Sequence, residues 1–148
     1  MARGSRLRWI APQSTKAPGG SLPGLHRQLL DKRAKGIVPD EADFLPTRFT
    51  FDGDPVAGDW WDFQLDGYGA WLWALVQHVR RTGDSATYDQ SRAAVDLMVR
   101  YLATLWQQPN YDCWEENRQH IHVSTLAALY GGLHAVNEFD PSPGLGAL

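Results

Sequence analysis

The chain has 148 residues, which is long enough for one domain with a substantial core and too short for two ordinary domains. Hydrophobic residues make up 43% and charged residues 21% of it, a balance typical of soluble globular proteins and not of disordered chains. The net charge of −3 gives no electrostatic reason to expect nucleic acid or an anionic membrane as a partner. Seven tryptophans are unusual for this length, and they favour either an aromatic core, the commoner case, or a surface that binds flat apolar faces.

Cysteine content and the apolar runs bear on the cellular compartment. Cys113 is the sole cysteine, so no intrachain disulfide can form. No run approaches the ~18 apolar residues that a membrane span needs, and the basic residues of the N-terminus are not followed by the apolar stretch of a secretory signal. We therefore predict a cytoplasmic protein with no membrane partner.

The first third of the chain carries weak structural signals. Residues 1–24 are basic and rich in proline and glycine, which predicts a disordered or atypical tail. Residues 25–36 are predicted to form a short helix that ends in glycine. The alternating segment 48–51 and the Asp52-Gly53 turn predict a small β-hairpin that closes near Val56.

Three amphipathic helices are predicted in the remainder. The first begins at the cap residue Asp66 and ends at Gly83, the second is capped by Asp84 and stops before Pro109, and the third ends at Asp140. Their apolar stripes comprise Tyr68, Trp71, Leu72, Leu75, Val76 and Val79 in the first, Tyr88, Val95, Met98, Leu102 and Leu105 in the second, and Leu126, Leu129, Tyr130, Leu133 and Val136 in the third.

Two aromatic and acidic loops precede the first and third of these helices. Short connections make consecutive helices antiparallel, so the first and third helices point the same way. Loops 58–65 and 108–117 lead into the N-termini of those two helices. We therefore expect both loops to lie on one rim, with Asp66 and Glu115 facing a common cleft.

The second loop contains Trp114, Glu115 and Glu116 in succession. A carboxylic acid beside an indole wall can hold its proton, because desolvation disfavours the charged form, and such an acid can protonate a leaving oxygen. Glycoside hydrolysis uses this acid together with a second carboxylate. The alternative is that both glutamates belong to the first turn of a helix, where the helix dipole favours negative charge.

The first loop offers polar groups that suit polyols. Asp66 and Gln64 can accept and donate hydrogen bonds to sugar hydroxyls, although Asp66 also suits a helix cap. Trp60 and Trp61 are adjacent, so at most one of them is expected to face a ligand.

Other chemistries find little support. His120 and His122 are two residues apart, the wrong spacing for two metal ligands on one helical face, and we predict no metal site. Gly67-Tyr68-Gly69 lacks the third glycine of a dinucleotide-binding loop, and we predict no cofactor.

Together the two loops resemble those of glycoside hydrolase family 15, the glucoamylase-type enzymes and particularly their bacterial members. The run from Trp60 to Gly69 is similar to the family's first substrate-binding loop, and the run from Pro109 to Asn117 is similar to its general-acid loop. Segment 39–49 is similar to the stretch that leads into the first loop, and the likeness covers roughly residues 33–138.

The resemblance implies a role for each matching residue. Glu115 corresponds to the general acid, Glu116 to a neighbour that contacts substrate near the cleaved bond, and Asp66 to the acid that holds hydroxyls of the terminal glucose. Trp61 and Trp114 become walls of the pocket, with Gln64 beside Asp66. The family is inverting and needs a second glutamate as general base, and no residue of this chain matches that base.

The family fold is all-α, an (α/α)6 barrel of six helical hairpins, which requires on the order of 300 residues. We therefore expect residues 25–140 to form part of such a catalytic domain, between an N-terminal tail and a C-terminal tail at 141–148. The predicted function is a fragment of an inverting, exo-acting α-glucosidase acting on an oligosaccharide or α-glucan. The alternatives are a non-catalytic glucan-binding module and a helical interaction module that retains the fold.

Overall fold

The structure is a computed structural model, and it describes residues 22–40, 43–48, 50, 56 and 63–141. Four helices make up most of this part of the chain: α1 (Leu22–Ala34), α2 (Asp66–Thr82), α3 (Ser85–Leu105) and α4 (Val123–Phe139). Within the described ranges, strand-like pairing outside the helices is a single parallel bridge between Gln64 and Tyr111.

The N-terminal predictions have mixed outcomes. Helix α1 starts at Leu22, earlier than the predicted boundary, and Gly36 stops it with a φ of 70°. The predicted tail at 1–24 lies almost wholly outside the described residues. Most of the predicted hairpin also lies outside them and stays a prediction, although at its two ends the Val56 N–H donates to the Arg48 carbonyl oxygen at 3.1 Å.

The boundaries of the long helices follow local chemistry. Gly83 adopts the left-handed conformation (φ 71°) and donates to the Val79 carbonyl oxygen at 2.8 Å, which ends α2 as predicted. Asp84 caps α3, since its side chain accepts from the Thr87 N–H at 3.2 Å. The prediction for Asp66 is wrong by one position: Leu65 is the cap, and the Asp66 carboxylate accepts from the Gly67 N–H at 2.9 Å inside the first turn.

The core lies between α2, α3 and α4. All five predicted stripe residues of α3 are buried, as are Leu72, Leu75, Val76 and Val79 of α2. In α4 the buried face is centred on Leu129, Gly132 and Val136. Tyr130 was wrongly placed on this face: it is 69% exposed, because one residue step turns the side chain about 100° away from Leu129.

Helix α2 packs closely against α4 through glycines. A Cβ on Gly132 would overlap the Gly69 carbonyl oxygen, and a Cβ on Gly69 would lie 2.5 Å from the Ala128 carbonyl oxygen. Towards the other end of the pair, Arg80 Nη2 lies 3.3 Å from Glu138 Oε2. Contacts at both ends run in the same chain order, so α2 and α4 are parallel, as predicted for the first and third helices.

Segment 43–48 supports the start of α2 from below. The Phe44 ring stacks on the Phe63 ring with centroids 3.7 Å apart, and the Tyr68 hydroxyl donates to the Pro46 carbonyl oxygen at 2.6 Å. The Leu45 N–H donates to the hydroxyl oxygen of Tyr101 at 3.0 Å, and full burial raises the pKa of that tyrosine. These contacts fix the backbone that leads into Asp66.

Candidate active site

The segments that lead into α2 and α4 are joined directly. The Tyr111 N–H donates to the Phe63 carbonyl oxygen at 3.2 Å, forming the parallel bridge. The Gln64 side chain adds a second link, since its Nε2 donates to the Asp112 carbonyl oxygen at 2.9 Å. The parallel helices and these two bonds place both segments on one rim, which confirms that part of the prediction.

Residues 110–122, called the acid loop below, form a closed turn before α4. The Asn110 N–H donates to the His120 carbonyl oxygen at 3.2 Å and ties the base of the loop. Within it, the His120 N–H donates to the Asn117 carbonyl oxygen at 3.0 Å. These backbone N–H and carbonyl groups are therefore paired within the loop, where no helix pairs them.

Asp112 organises the part of the loop that carries the two glutamates. Its Oδ1 accepts from the N–H of Trp114 at 2.9 Å and of Glu116 at 3.1 Å, and its carbonyl oxygen accepts from the Glu115 N–H at 3.0 Å. The hydrogen bond from the Glu116 N–H, with that from the Trp114 N–H, lowers the pKa of Asp112, while desolvation acts to raise it. Positive charge on His122 also lowers this pKa. One aspartate thus holds three consecutive amides.

Glu115 has an unusual backbone. Its φ is 59°, and that of Asn117 is 50°, so both lie in the left-handed region that side chains other than those of glycine and asparagine rarely enter. Such conformations persist where the surrounding structure imposes them, and they cluster at functional sites. In the acid loop, the bonds to Asp112 impose this conformation.

The other predicted site residues that the structure describes lie in the acid loop or at the start of α2. Asp66 is half-buried at the first turn of α2, while Gln64 is occupied as a link between the segments. Glu115 and Glu116 are exposed, and Trp114 is 79% exposed. Trp61 lies outside the described residues.

The helix-dipole interpretation of the two glutamates is wrong. Helix α4 begins at Val123, and the intervening residues belong to the acid loop. Glu115 and Glu116 therefore lie outside the first turn, where the dipole acts.

Two residues of the loop were missed in the sequence. Asp112 was quoted only as part of a motif, although an aspartate in a loop can accept a hydrogen bond from the backbone N–H two residues on, as in an Asx turn. His122 was considered only as a metal ligand, whereas its ring contacts Asp112 and Asn117.

The described residues contain neither a metal-binding cluster nor a helix that could span a membrane. Among the residues that the structure describes, no three His, Cys, Asp or Glu side chains are grouped so as to hold a metal ion. None of the helices described above is long and apolar enough to cross a membrane.

Residues 46–142 match the family model described as glycosyl hydrolases family 15. The chain belongs to this family. An isomaltose glucohydrolase of Kribbella flavida is 52% identical over 102 residues, which are 69% of this chain and 26% of that protein. An uncharacterised glycosyl hydrolase of Methanocaldococcus jannaschii is 35% identical over 72 residues, 47% of this chain and 12% of that protein.

Solved glycosidase structures match the fold of this family 15 chain. A wild-type glycosidase superposes with a TM-score of 0.74 at 46% identity, covering 84% of this chain and 34% of the glycosidase. A glycosidase variant in complex with glucose gives a TM-score of 0.73 with the same identity and coverage. The predicted fold class, an all-α fragment of the six-hairpin barrel, is confirmed, and the chain spans about a third of the structures that it matches.

Proposed function

We propose that this chain carries the general-acid side of the active site of an inverting, exo-acting α-glucosidase. In such an enzyme one carboxylic acid protonates the glycosidic oxygen while a carboxylate on the opposite face of the sugar activates water, the two groups being ~6.5–9.5 Å apart. Glu115 takes the first role. The second carboxylate is supplied by sequence corresponding to the larger part of the glucohydrolase that this chain does not match.

The observation that carries the proposal is the direct link between the two loop segments. The hydrogen bond between Gln64 and Asp112 joins the segment that carries Asp66 to the segment that carries Glu115. A substrate held through its hydroxyls by Asp66 would then present its glycosidic oxygen along the same rim. Holding the substrate near the acid lowers the activation barrier only when the binding group and the acid keep a fixed relative position. The hydrogen bond between Gln64 and Asp112 would hold the two segments in this way.

The environment of Glu115 sets a further requirement. Its side chain is exposed here, and a general acid needs apolar surroundings to retain its proton near neutral pH. Trp114 is available as one wall of the pocket, and bound sugar together with the remainder of the barrel would complete the enclosure. Glu116 would contact substrate near the bond that is cleaved.

For the substrate we propose an α-linked glucoside, with isomaltose as the first to test. The basis is the 52% identity to an isomaltose glucohydrolase over 102 residues of this chain. Residues 25–140 would contribute the first hairpins of the catalytic domain, between tails at 1–24 and 141–148. A cytoplasmic location would suit an enzyme that receives short oligosaccharides after uptake.

The test is a chimera in which residues 46–142 of this chain replace the matching segment of the Kribbella glucohydrolase. This chimera is called the exchanged protein, or exchanged glucohydrolase, below. The exchanged protein should release glucose from isomaltose, and Glu115→Gln should reduce kcat by at least about a thousandfold, because the leaving oxygen loses its proton donor. Glu138→Gln is the matched control, since Glu138 is an exposed glutamate near the far end of α4. A folded exchanged protein in which Glu115→Gln leaves kcat intact would exclude the assigned role.

The 148-residue chain by itself should release no measurable glucose from maltose, starch, isomaltose or trehalose. The reason is that hydrolysis with inversion needs both carboxylates. Glucose release can be followed with a coupled oxidase assay over a day at high protein concentration. Turnover that Glu115→Gln abolishes would mean that the second carboxylate lies within these residues.

A further inference from the structure

His122 joins α4 to the acid loop. It occupies the residue before the first turn, with extended backbone (φ −92°, ψ 136°), and its carbonyl oxygen accepts from the Leu126 N–H at 3.0 Å as the first bond of the helix. Its side chain does not cap the helix. The backbone of this histidine is thus fixed by α4 while its ring is free to serve another purpose.

The ring reaches two points on either side of Glu115. Nε2 donates to the Asn117 carbonyl oxygen at 3.1 Å, and Nδ1 lies 3.9 Å from Asp112 Oδ2. The side chains of His122 and Asp112 are each 15% exposed, so this contact is largely shielded from water. The Nε2 contact is a hydrogen bond, whereas the 3.9 Å contact with Asp112 is too long for one and is an ion pair only when the ring is protonated.

The two contacted residues control the backbone between them. Asp112 holds the amides of Trp114, Glu115 and Glu116, and Asn117 is the second residue with positive φ. Moving Asp112 would break the hydrogen bonds that hold the turn at Glu115, and moving Asn117 would shift the residue that follows this turn. A ring held by α4 therefore bears on the backbone conformation of Glu115.

We propose that His122 is a positioning residue that fixes the conformation of Glu115 by fastening Asp112 and Asn117 to α4. Its catalytic consequence rests on the proposed function of Glu115, whereas the fastening itself does not. The two can therefore fail separately.

The experiment measures hydrogen exchange by mass spectrometry on the 148-residue chain at low micromolar concentration. His122→Ala should accelerate exchange of the amides of residues 114–116 by about fivefold or more, because Asp112, which accepts from these amides, loses the ring packed beside it and Asn117 loses a hydrogen-bond donor. His122→Gln keeps a donor and should restore part of the protection. His120→Ala is the control, since that ring is exposed and lies near the edge of the His122 ring, with centroids 6.3 Å apart.

The outcomes separate positioning from general stability. A positioning role predicts faster exchange in the acid loop with unchanged exchange in α2 and α3. Uniform acceleration across the helices, unchanged exchange in His122→Ala, or an equal effect of His120→Ala would each overturn the proposal.

The exchanged glucohydrolase provides a second measurement that does not depend on the behaviour of the isolated chain. There, His122→Ala should lower kcat at least tenfold with little change in KM, and His122→Gln should recover part of the loss. If Glu115→Gln lowers kcat, an unchanged kcat in His122→Ala would contradict the positioning role. If Glu115→Gln leaves kcat unchanged, the function proposed for the glutamate fails, and hydrogen exchange alone decides the positioning role.

Discussion

At the residue scale, the acid loop holds Glu115 in a conformation that its own side chain disfavours. A left-handed backbone costs a residue with a Cβ on the order of 1–2 kcal/mol relative to the right-handed region. In this loop three hydrogen bonds from backbone N–H groups to Asp112 offset that cost. At Glu115, the backbone conformation that the loop imposes on the glutamate therefore lowers the stability of the fold.

Glu115→Gly should stabilise the chain by up to about 1 kcal/mol. Glycine enters the left-handed region freely, and this gain exceeds the greater entropy that glycine loses on folding. Urea unfolding at low micromolar concentration measures the change. Glu116→Gly is the control and should stabilise nothing, since positive φ is recorded for its two neighbours and not for Glu116 itself.

Asp112 should make the acid loop sensitive to acid. The native hydrogen bonds lower the pKa of this carboxyl below its ordinary 3.8, so its contribution is complete above that value and is lost as the pH falls through the lower native pKa. Between pH 5 and pH 2.5, wild type should therefore lose more thermal stability than Asp112→Asn, which accepts hydrogen bonds without a charge. The exposed Asp89→Asn should show the slope of wild type, and an Asp112→Asn slope equal to wild type would contradict this role.

The sequence identified the candidate site residues and was less informative about how they are held. The run from Trp114 to Glu116 identified the loop through the family resemblance, because a resemblance depends on residue types and their order, which the sequence gives directly. The Asp112 and His122 contacts depend on the path of the loop backbone, which no periodicity describes. For the same reason the exposed positions of Trp114 and Glu115 could not be predicted.

At the scale of elements, the close packing of α2 and α4 positions the two loops. Gly132→Ala should destabilise the chain by about 1–3 kcal/mol, because the added methyl overlaps the Gly69 carbonyl oxygen and the helices must separate. Gly131→Ala is the matched control: nothing lies within 4 Å of its Cβ position, and it should stabilise by up to about 1 kcal/mol. Equal effects of the two substitutions in urea unfolding would show that the close contact does not constrain the helices.

The helices themselves were largely predictable. Apolar stripes at helical spacing, the Asp84 cap and the Gly83 stop act locally, so their signals are visible in the sequence. The parallel arrangement of α2 and α4 followed from short connections. The glycine contact between them was not foreseen, because it requires knowing which turns of two separate helices meet.

At the scale of the whole molecule, large apolar side chains remain on the surface. Val123 is 82% exposed, Val38 80% and Tyr130 69%, with Trp73 and Trp106 about half exposed. In a closed barrel, such faces are covered by further helices. Large apolar side chains left exposed in this number favour association.

The isolated chain should therefore self-associate at concentrations above tens of micromolar. Analytical ultracentrifugation across a concentration series measures this directly. Replacing Val123 and Tyr130 by lysine should shift the equilibrium towards monomer without affecting the buried core. A wild-type chain that stays monomeric at every concentration and melts in one sharp transition would contradict the expectation.

The bond between the Asn110 N–H and the His120 carbonyl oxygen, which ties the base of the acid loop, has a consequence for divergence within the family. A loop fastened at its base tolerates substitution at its exposed positions while the flanking helices keep their places. Sequence changes at such positions could therefore accumulate in relatives without displacing Asp112 or Glu115.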